Sequence, residues 1–202
     1  MKITIHRGTH QIGGSAIEIS TASTRIVLDF GNELSLDEKY TPINLDIDGV
    51  TKGIADCDGI VISHYHMDHL GQLTSALPDI PLYMGELSKE IALIGSEYPD
   101  KDLYLRLLGA NTFRGGEAFT IGDIHIRPLV IDHSAADSYM FVIEAEGKRV
   151  LYTGDFRMHG LRHHVLQKLV NTYIGEIDVL ITEGTLLSRD VDESISEAAV
   201  LE

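Results

Sequence analysis

The sequence predicts one α/β domain built in layers. Three observations carry that reading: short apolar, β-branched runs alternate with helical runs, glycine-bearing turns punctuate them, and 202 residues with 44% hydrophobic side chains suffice for one sizeable core. No internal repeat or low-complexity segment divides the chain.

Residues 3–30 read as a β-meander, with runs at Ile3-Thr4-Ile5, Ala16-Ile17-Glu18-Ile19 and Arg25-Ile26-Val27-Leu28, and turns at Gly8, Gly13-Gly14 and Thr21-Ala22-Ser23-Thr24. Residues 32–58 are polar and acidic; Ile43-Asn44-Leu45-Asp46-Ile47-Asp48 alternates as a short edge strand or a loop. Gly59-Ile60-Val61-Ile62 is a buried strand, expected to continue to His64 and His66, with a helix over residues 70–77. A strand at 81–84 leads to a helix over Glu86–Ser96, with apolar positions at Leu87, Ile91 and Ile94, and to a second helical stretch at 102–108. The strand Ile124–Ile131 turns His125 outward. A hairpin over 139–152 turns at Glu146-Gly147-Lys148, and a helix at 163–173 precedes a strand at 178–182.

The net charge of −15 excludes a broad basic groove for nucleic acid, because phosphate-driven binding needs clustered Lys and Arg. It does not exclude a phosphodiester substrate, since bound divalent ions supply positive charge where a phosphate sits. No apolar run approaches the roughly 20 residues needed to span a bilayer, and Met1 to His6 alternates like a strand, so no membrane contact and a cytoplasmic location are expected. The single cysteine, Cys57, lies between Asp56 and Asp58 and reads as a structural residue, not a nucleophile.

The stretch Ser63-His64-Tyr65-His66-Met67-Asp68-His69-Leu70-Gly71 packs three imidazoles and a carboxylate into six residues. Alternation along a continued strand sends His64 and His66 to one face, where their ring nitrogens converge on one ion. Asp68 and His69 fall where the chain leaves the strand and point to a neighbouring position, so two adjacent divalent ions are expected. Imidazole and carboxylate suit zinc, manganese or iron. The alternative is a cluster of surface histidines at a strand end.

This His-x-His-x-Asp-His string resembles the signature of the metallo-β-lactamase superfamily. Ile131-Asp132-His133-Ser134 and Tyr152-Thr153-Gly154-Asp155-Phe156-Arg157 resemble its next two ligand segments, so the resemblance runs through nearly the whole chain. It implies a metallo-β-lactamase-like αββα sandwich over residues 1–202, holding its metal at the edge between two sheets. By that resemblance His64, His66 and His133 hold the first ion, Asp68 and His69 the second, and Asp155 bridges them. A metal-bound hydroxide is the implied nucleophile, with Asp68 orienting it or passing a proton. Ser134 contacts the leaving side or a phosphate, or caps its loop. Asp29 supports the histidine loop or is a strand-end turn residue. His6, His10 and Gln11 lie near a turn that the family brings towards the site, with His6 expected at the surface.

Residues 153–160 and 181–185 resemble, more narrowly, the β-CASP branch, which includes ribonuclease J and the endonuclease of messenger-RNA 3′-end processing. There an acidic residue at the position of Glu183 ends a strand beside the site; otherwise Glu183 is a turn carboxylate. Arg157 and Arg162 either steer a phosphate or belong to a solvated loop.

One departure stands out. The superfamily completes its second metal shell with a later histidine, and the only ones after Asp155 are His159, His163 and His164. The β-CASP insert and the returning half of the sandwich are not present either. The expectation is an amino-terminal portion of a longer enzyme, or a shortened protein with an incomplete second site; Leu201-Glu202 resembles a cloning junction. The implied function is a metal-dependent hydrolase leaning to RNA phosphodiester cleavage. The alternatives are a small-molecule thioester or lactone hydrolase, and a non-catalytic metal-binding domain that dimerises. Exposed sheet edges predict a homo-oligomer.

Overall fold

A computed structural model describes residues 1–34, 43–185, 187 and 196–200; Leu201-Glu202 and the region around Pro42 lie outside the described residues. The first sheet takes β1 (Lys2–Arg7), β2 (Ala16–Ser20), β3 (Arg25–Leu28), β4 (Gly59–Val61), β5 (Leu82–Gly85) and β6 (Asn111–Phe113) in that order across its width. The expected meander is there: β1, β2 and β3 pair antiparallel. From β3 onward the pairs are parallel, which obliges the chain to cross over. β4 crosses to β5 through α1 (Met67–Leu70) and a short 3₁₀ turn, and β5 to β6 through α2 (Glu86–Ser96) and α3 (Lys101–Leu108), whereas β3 reaches β4 with no helix among the described residues.

The second sheet holds β7 (Phe119–Ile121), β8 (Ile124–Ile131), β9 (Ser138–Ala145), β10 (Lys148–Tyr152) and β11 (Val179–Ile181), in the order β11-β10-β9-β8-β7. Only β10 and β11 run parallel. The turn between β9 and β10 puts Glu146 and Gly147 at φ 51° and 69°, the left-handed pair of a tight hairpin. Helices α4 (His164–Leu169) and α5 (Glu197–Val200) complete the described chain.

Three buried clusters fill the gaps between four layers. Val27, Ile60, Ile62, Leu82 and Met84 face Leu73, Leu103 and Leu107 on the helical side of the first sheet. Ile26, Leu28 and Val61 point the other way, against Ile124, Ile126, Phe141, Ile143 and Val150 of the second sheet. Leu129, Ile131, Met140, Val142 and Leu151 pack on Leu169 and Ile174, which places α4 outside the second sheet. The layers therefore run α, β, β, α. The period-2 switch between Ile60, Val61 and Ile62 explains the unbroken apolar run of β4: both faces are covered.

Local expectations changed in four places. β4 stops at Val61, so His64 and His66 lie in a loop, and α1 takes in Asp68 and His69 while residues 70–77 form only that helix's end and a 3₁₀ turn. In α2, Leu87 and Ile94 are 47% and 76% exposed, whereas Ser88 and Ser96 are buried. The stripe Ser88, Ala92, Ser96 recurs at the same four-residue spacing; its small side chains let the helix sit close, and Ser96 Oγ donates to the Ala92 carbonyl. Residues 43–48 form no strand beyond a bridge between Asp48 and Lys52. His6 is turned in to Glu18, 2.9 Å away; it sits at the register shift between Ile5 and Arg7 and reaches diagonally to this carboxylate, which β2 pairs with Thr4. His125 is exposed as expected. Cys57 is buried, its thiol pushed up to about 11 by burial.

Candidate metal centre

The ends of β3, β4, β8 and β10 meet at one rim, where the ladders stop and side chains take over. Ser63 N and Oγ donate to the two carboxylate oxygens of Asp29, at 2.6 and 2.7 Å. The loop is thereby pulled out of the strand, and it is this loop, not pleat alternation, that brings His64 and His66 together. Asp29 itself sits at φ 55°, a conformation that Asp tolerates better than most residues. Gly31 lies against α1 so tightly that a Cβ would come within 1.6 Å of the Asp68 carbonyl oxygen.

His64 Nε2 lies 3.1 Å from His66 Nδ1, and His133 Nε2 lies 3.3 Å from the same atom. Zinc–nitrogen bonds of about 2.0–2.1 Å hold tetrahedral donors roughly 3.3 Å apart, so this spacing is what one ion would require. A second group is formed by His64, His69 and Asp155; within each group the donor atoms lie within 4.8 Å of one another. Asp155 Oδ1 is 3.3 Å from His69 Nε2 and its Oδ2 is 3.8 Å from His133 Nε2, so this carboxylate stands between the groups. Asp68 belongs to neither group and approaches His69 Nε2 at 3.6 Å. The donor chemistry, imidazole with carboxylate and no thiolate, fits a divalent transition ion.

Burial, helped by the neighbouring histidines, pushes His64 far below the ordinary histidine value. Burial also lowers His66 despite Asp68, and takes His133 down to about 4 despite Asp155. All three rings are neutral at pH 7, the form that binds metal. Burial acts to lower His69 too, but Asp29 and Asp155 prevail and hold it well above its usual value. Burial would raise Asp155, yet its hydrogen bond from His69 keeps it low, whereas Asp68 is raised by burial against the pull of His69.

The signs fix a pH dependence for the metal-free protein. The three depressed histidines leave stability intact above the unfolded value of about 6.5 and remove it as pH falls, because the unfolded chain takes up protons that the folded chain refuses. His69 works oppositely: its contribution is present below about 6.5 and fades as pH rises through its folded value. Three groups outweigh one. The urea midpoint of the metal-free protein is therefore expected to fall steadily between pH 6.5 and 4.5; a flat midpoint there would contradict the assignment of neutral rings.

A groove of about 940 Å³ opens over this centre, lined among others by His66, Asp68, His69, His133, Ser134, Asp155 and Glu183. His10 and Gln11 also line it. Glu183 Oε1 accepts from Phe156 N at 2.7 Å and so steadies the turn that presents Asp155. Arg157 is held by Asp132 and Glu197 and does not line the groove. No histidine after Asp155 lines it among the described residues; His163 Nδ1 instead meets the Gly160 carbonyl at 3.0 Å. The sequence reading missed Tyr152, whose hydroxyl donates to Asp29 Oδ2 at 2.5 Å, as well as Ser63. The signal for Tyr152 is its place directly before Thr153-Gly154-Asp155.

The sequence profile of the beta-lactamase superfamily domain matches residues 24–198. Ribonuclease J of Helicobacter pylori is 28% identical over 167 residues, covering 78% of this chain and 23% of its own length. An RNase J-like protein of Methanocaldococcus jannaschii is 27% identical over 218 residues, covering 96% and 48% respectively. Endoribonuclease YSH1 of Gibberella zeae is 27% identical over 200 residues, covering 88% and 23%. The chain thus spans from 23% to 48% of the length of these relatives. Among solved structures, a protein of unknown function from Enterococcus faecalis V583 superposes with a TM-score of 0.82 at 21% identity, over 98% of this chain and 55% of that one. Zinc-bound PqqB from Methylobacterium extorquens gives 0.52 at 14% identity, over 84% and 60%.

Proposed function

The chain belongs to the beta-lactamase superfamily domain family, and from that premise we propose that it hydrolyses RNA phosphodiester bonds at a centre of two divalent ions, zinc in the first instance. One observation carries the reading: two three-residue donor groups share His64 and have Asp155 between them, at the floor of an open groove. The ribonuclease relatives supply the substrate class. Divalent ions held there would polarise a phosphoryl oxygen and make water a nucleophile near neutral pH.

The chain's own residues then divide the work. His64, His66 and His133 bind as neutral donors, His69 and Asp155 bind at the neighbouring position, and Asp29 orients His69. Asp68 lines the groove outside both groups with its carboxyl raised by burial, which suits it to hold a proton beside the scissile bond. Glu183 acts through the backbone of Phe156 by keeping Asp155 in place.

A second reading, hydrolysis of a small thioester or lactone, is favoured by a different observation. Arg7 is the sole Lys or Arg lining the groove among the described residues, and it is occupied by the carbonyls of Gly14, Gly31 and Ile43. The rim beside it is apolar, with Ile5, Ile12 and Leu34 exposed.

Metal-reconstituted protein assayed on a single-stranded RNA, a thioester and a lactone separates the readings, with His66→Ala as control. RNA cleavage that requires metal and is lost in His66→Ala supports the proposal. Turnover of the small esters alone moves the assignment to the second reading. Full metal uptake with no turnover on any of the three leaves a metal-binding domain without catalysis.

A further inference from the structure

We propose that the ion pair between Asp132 and Arg157 is a positioning device that holds the loop of His133 and the loop of Asp155 at the separation the metal centre needs. The inference rests on the metal-centre reading above and concerns residues that bind no metal themselves. β8 and β10, which deliver the two loops, are not neighbours. β9 runs between them, so their ends lie two strand spacings apart, about 9.5 Å. The ladders end at Ile131 against Ser138 and at Tyr152 against Phe141. Past these pairs the last sheet hydrogen bond is from Thr153 N to the Ile181 carbonyl at 3.0 Å, which ties the Asp155 loop to β11 and not towards β8, yet the donor atoms of His133 and Asp155 approach to 3.8 Å.

What spans the gap is Asp132. Its carbonyl accepts from Arg157 N at 2.9 Å, its Oδ1 from Arg157 Nε at 3.2 Å, and its Oδ2 from Arg162 N at 3.0 Å. Asp132 is 4% exposed, and both its carboxylate oxygens are used. The chain is shaped to admit this contact: a Cβ on Gly160 would stand 2.3 Å from Asp132 Oδ2 and 2.6 Å from Arg157 Nε. At its other end Arg157 Nη1 meets Glu197 Oε1 at 2.6 Å. Glu197 is itself tied to the 159–161 segment through Leu161 N and the His159 carbonyl. The guanidinium is thus fixed at both ends, each ligand loop being one residue or two away from the clamp.

Groups that orient metal ligands without touching the metal commonly change metal affinity by about 10–100-fold when lost. The test is Zn2+ affinity of the folded protein, by competition with a chelating dye after metal removal, at a temperature where circular dichroism shows each variant intact. Arg157→Gln is expected to weaken binding about 10–100-fold. Arg157→Lys should recover part of the loss, keeping the charge without the planar fork. If Arg157→Gln does not fold, Glu197→Gln serves instead: it frees only the outer end of Arg157 and is expected to give a smaller weakening, of about threefold or more, in the same direction.

A merely structural pair would lower the melting temperature of metal-free protein and leave the affinity of the folded form unchanged, and that result overturns the proposal. If wild-type protein binds Zn2+ normally while the variants match it, only the clamp fails. If wild-type protein binds none, the metal-centre reading fails with it.

Discussion

Asp155→Ala is expected to remove one of two equivalents of bound metal and to lower metal-dependent hydrolysis by about 10³-fold or more, beyond the 10²–10³ that loss of one electrostatic donor costs in other active sites. The reason is position. Its two oxygens face His69 Nε2 at 3.3 Å and His133 Nε2 at 3.8 Å, so it is the one carboxylate placed to serve both donor groups among the described residues. Without it the second group keeps only His64 and His69, and two neutral imidazoles bring no negative charge to a divalent ion. The side chain lies at a loop, 24% exposed, so folding should survive the change. Elemental analysis of protein purified without chelators reads the outcome. Two equivalents retained in Asp155→Ala would remove this residue from the centre.

How far the centre can be read in advance depends on sequence distance. His64, His66, Asp68 and His69 fall within six residues, and any element carrying them crowds them together, so the cluster is legible although the strand expected to carry it is not there. The loop that does carry it is made by Asp29, 34 residues earlier, bonding to Ser63. Nothing local to Ser63 signals that. The layers were legible for a similar reason: the fully apolar run of β4 needs cover on both faces, and the alternation in β3 and β8 assigns each residue to a side. The inward face of α2 is not its most hydrophobic one: Ser88 and Ser96 are buried and Ala92 and Leu93 pack half-buried on the core, while Leu87 and Ile94 face outward, a choice that hydrophobicity alone does not signal. Asp132 and Arg157 were taken separately, one as part of a ligand segment and the other as either a phosphate-steering residue or part of a solvated loop. Their pairing depends on the order of β8, β9 and β10, which no single segment displays.

Asp29→Asn should show the largest loss of stability of any single polar change among the described residues. The Asp29 carboxylate is fully buried and accepts four hydrogen bonds: from Ser63 N to Oδ1, and from Ser63 Oγ, His69 Nδ1 and the Tyr152 hydroxyl to Oδ2. An amide keeps one oxygen and turns an NH2 donor towards groups that are donors themselves. Each buried group left without a partner costs about 1–3 kcal/mol, more when the bond was to a charge. Because the four bonds meet at one carboxylate their losses do not add, and a total of roughly 3–5 kcal/mol is expected, as for breaking a buried ion pair. That is a large part of the roughly 5–15 kcal/mol typical of a folded domain. Asparagine tolerates positive φ as well as aspartate does, so the change isolates the carboxylate from the backbone conformation it occupies.

Metal binding should suffer alongside stability. Donation of the His69 Nδ1 hydrogen to Asp29 keeps Nε2 facing Asp155 and the second donor group, where loss of the Nε2 proton would present its lone pair to an ion, and losing that restraint frees the ring to turn or change tautomer. Urea unfolding of the metal-free protein and Zn2+ competition on the folded fraction read the two effects separately. A midpoint equal to that of wild type would mean that Ser63, His69 and Tyr152 find other partners, and Asp29 would then be an ordinary strand-end residue and not the anchor of the centre.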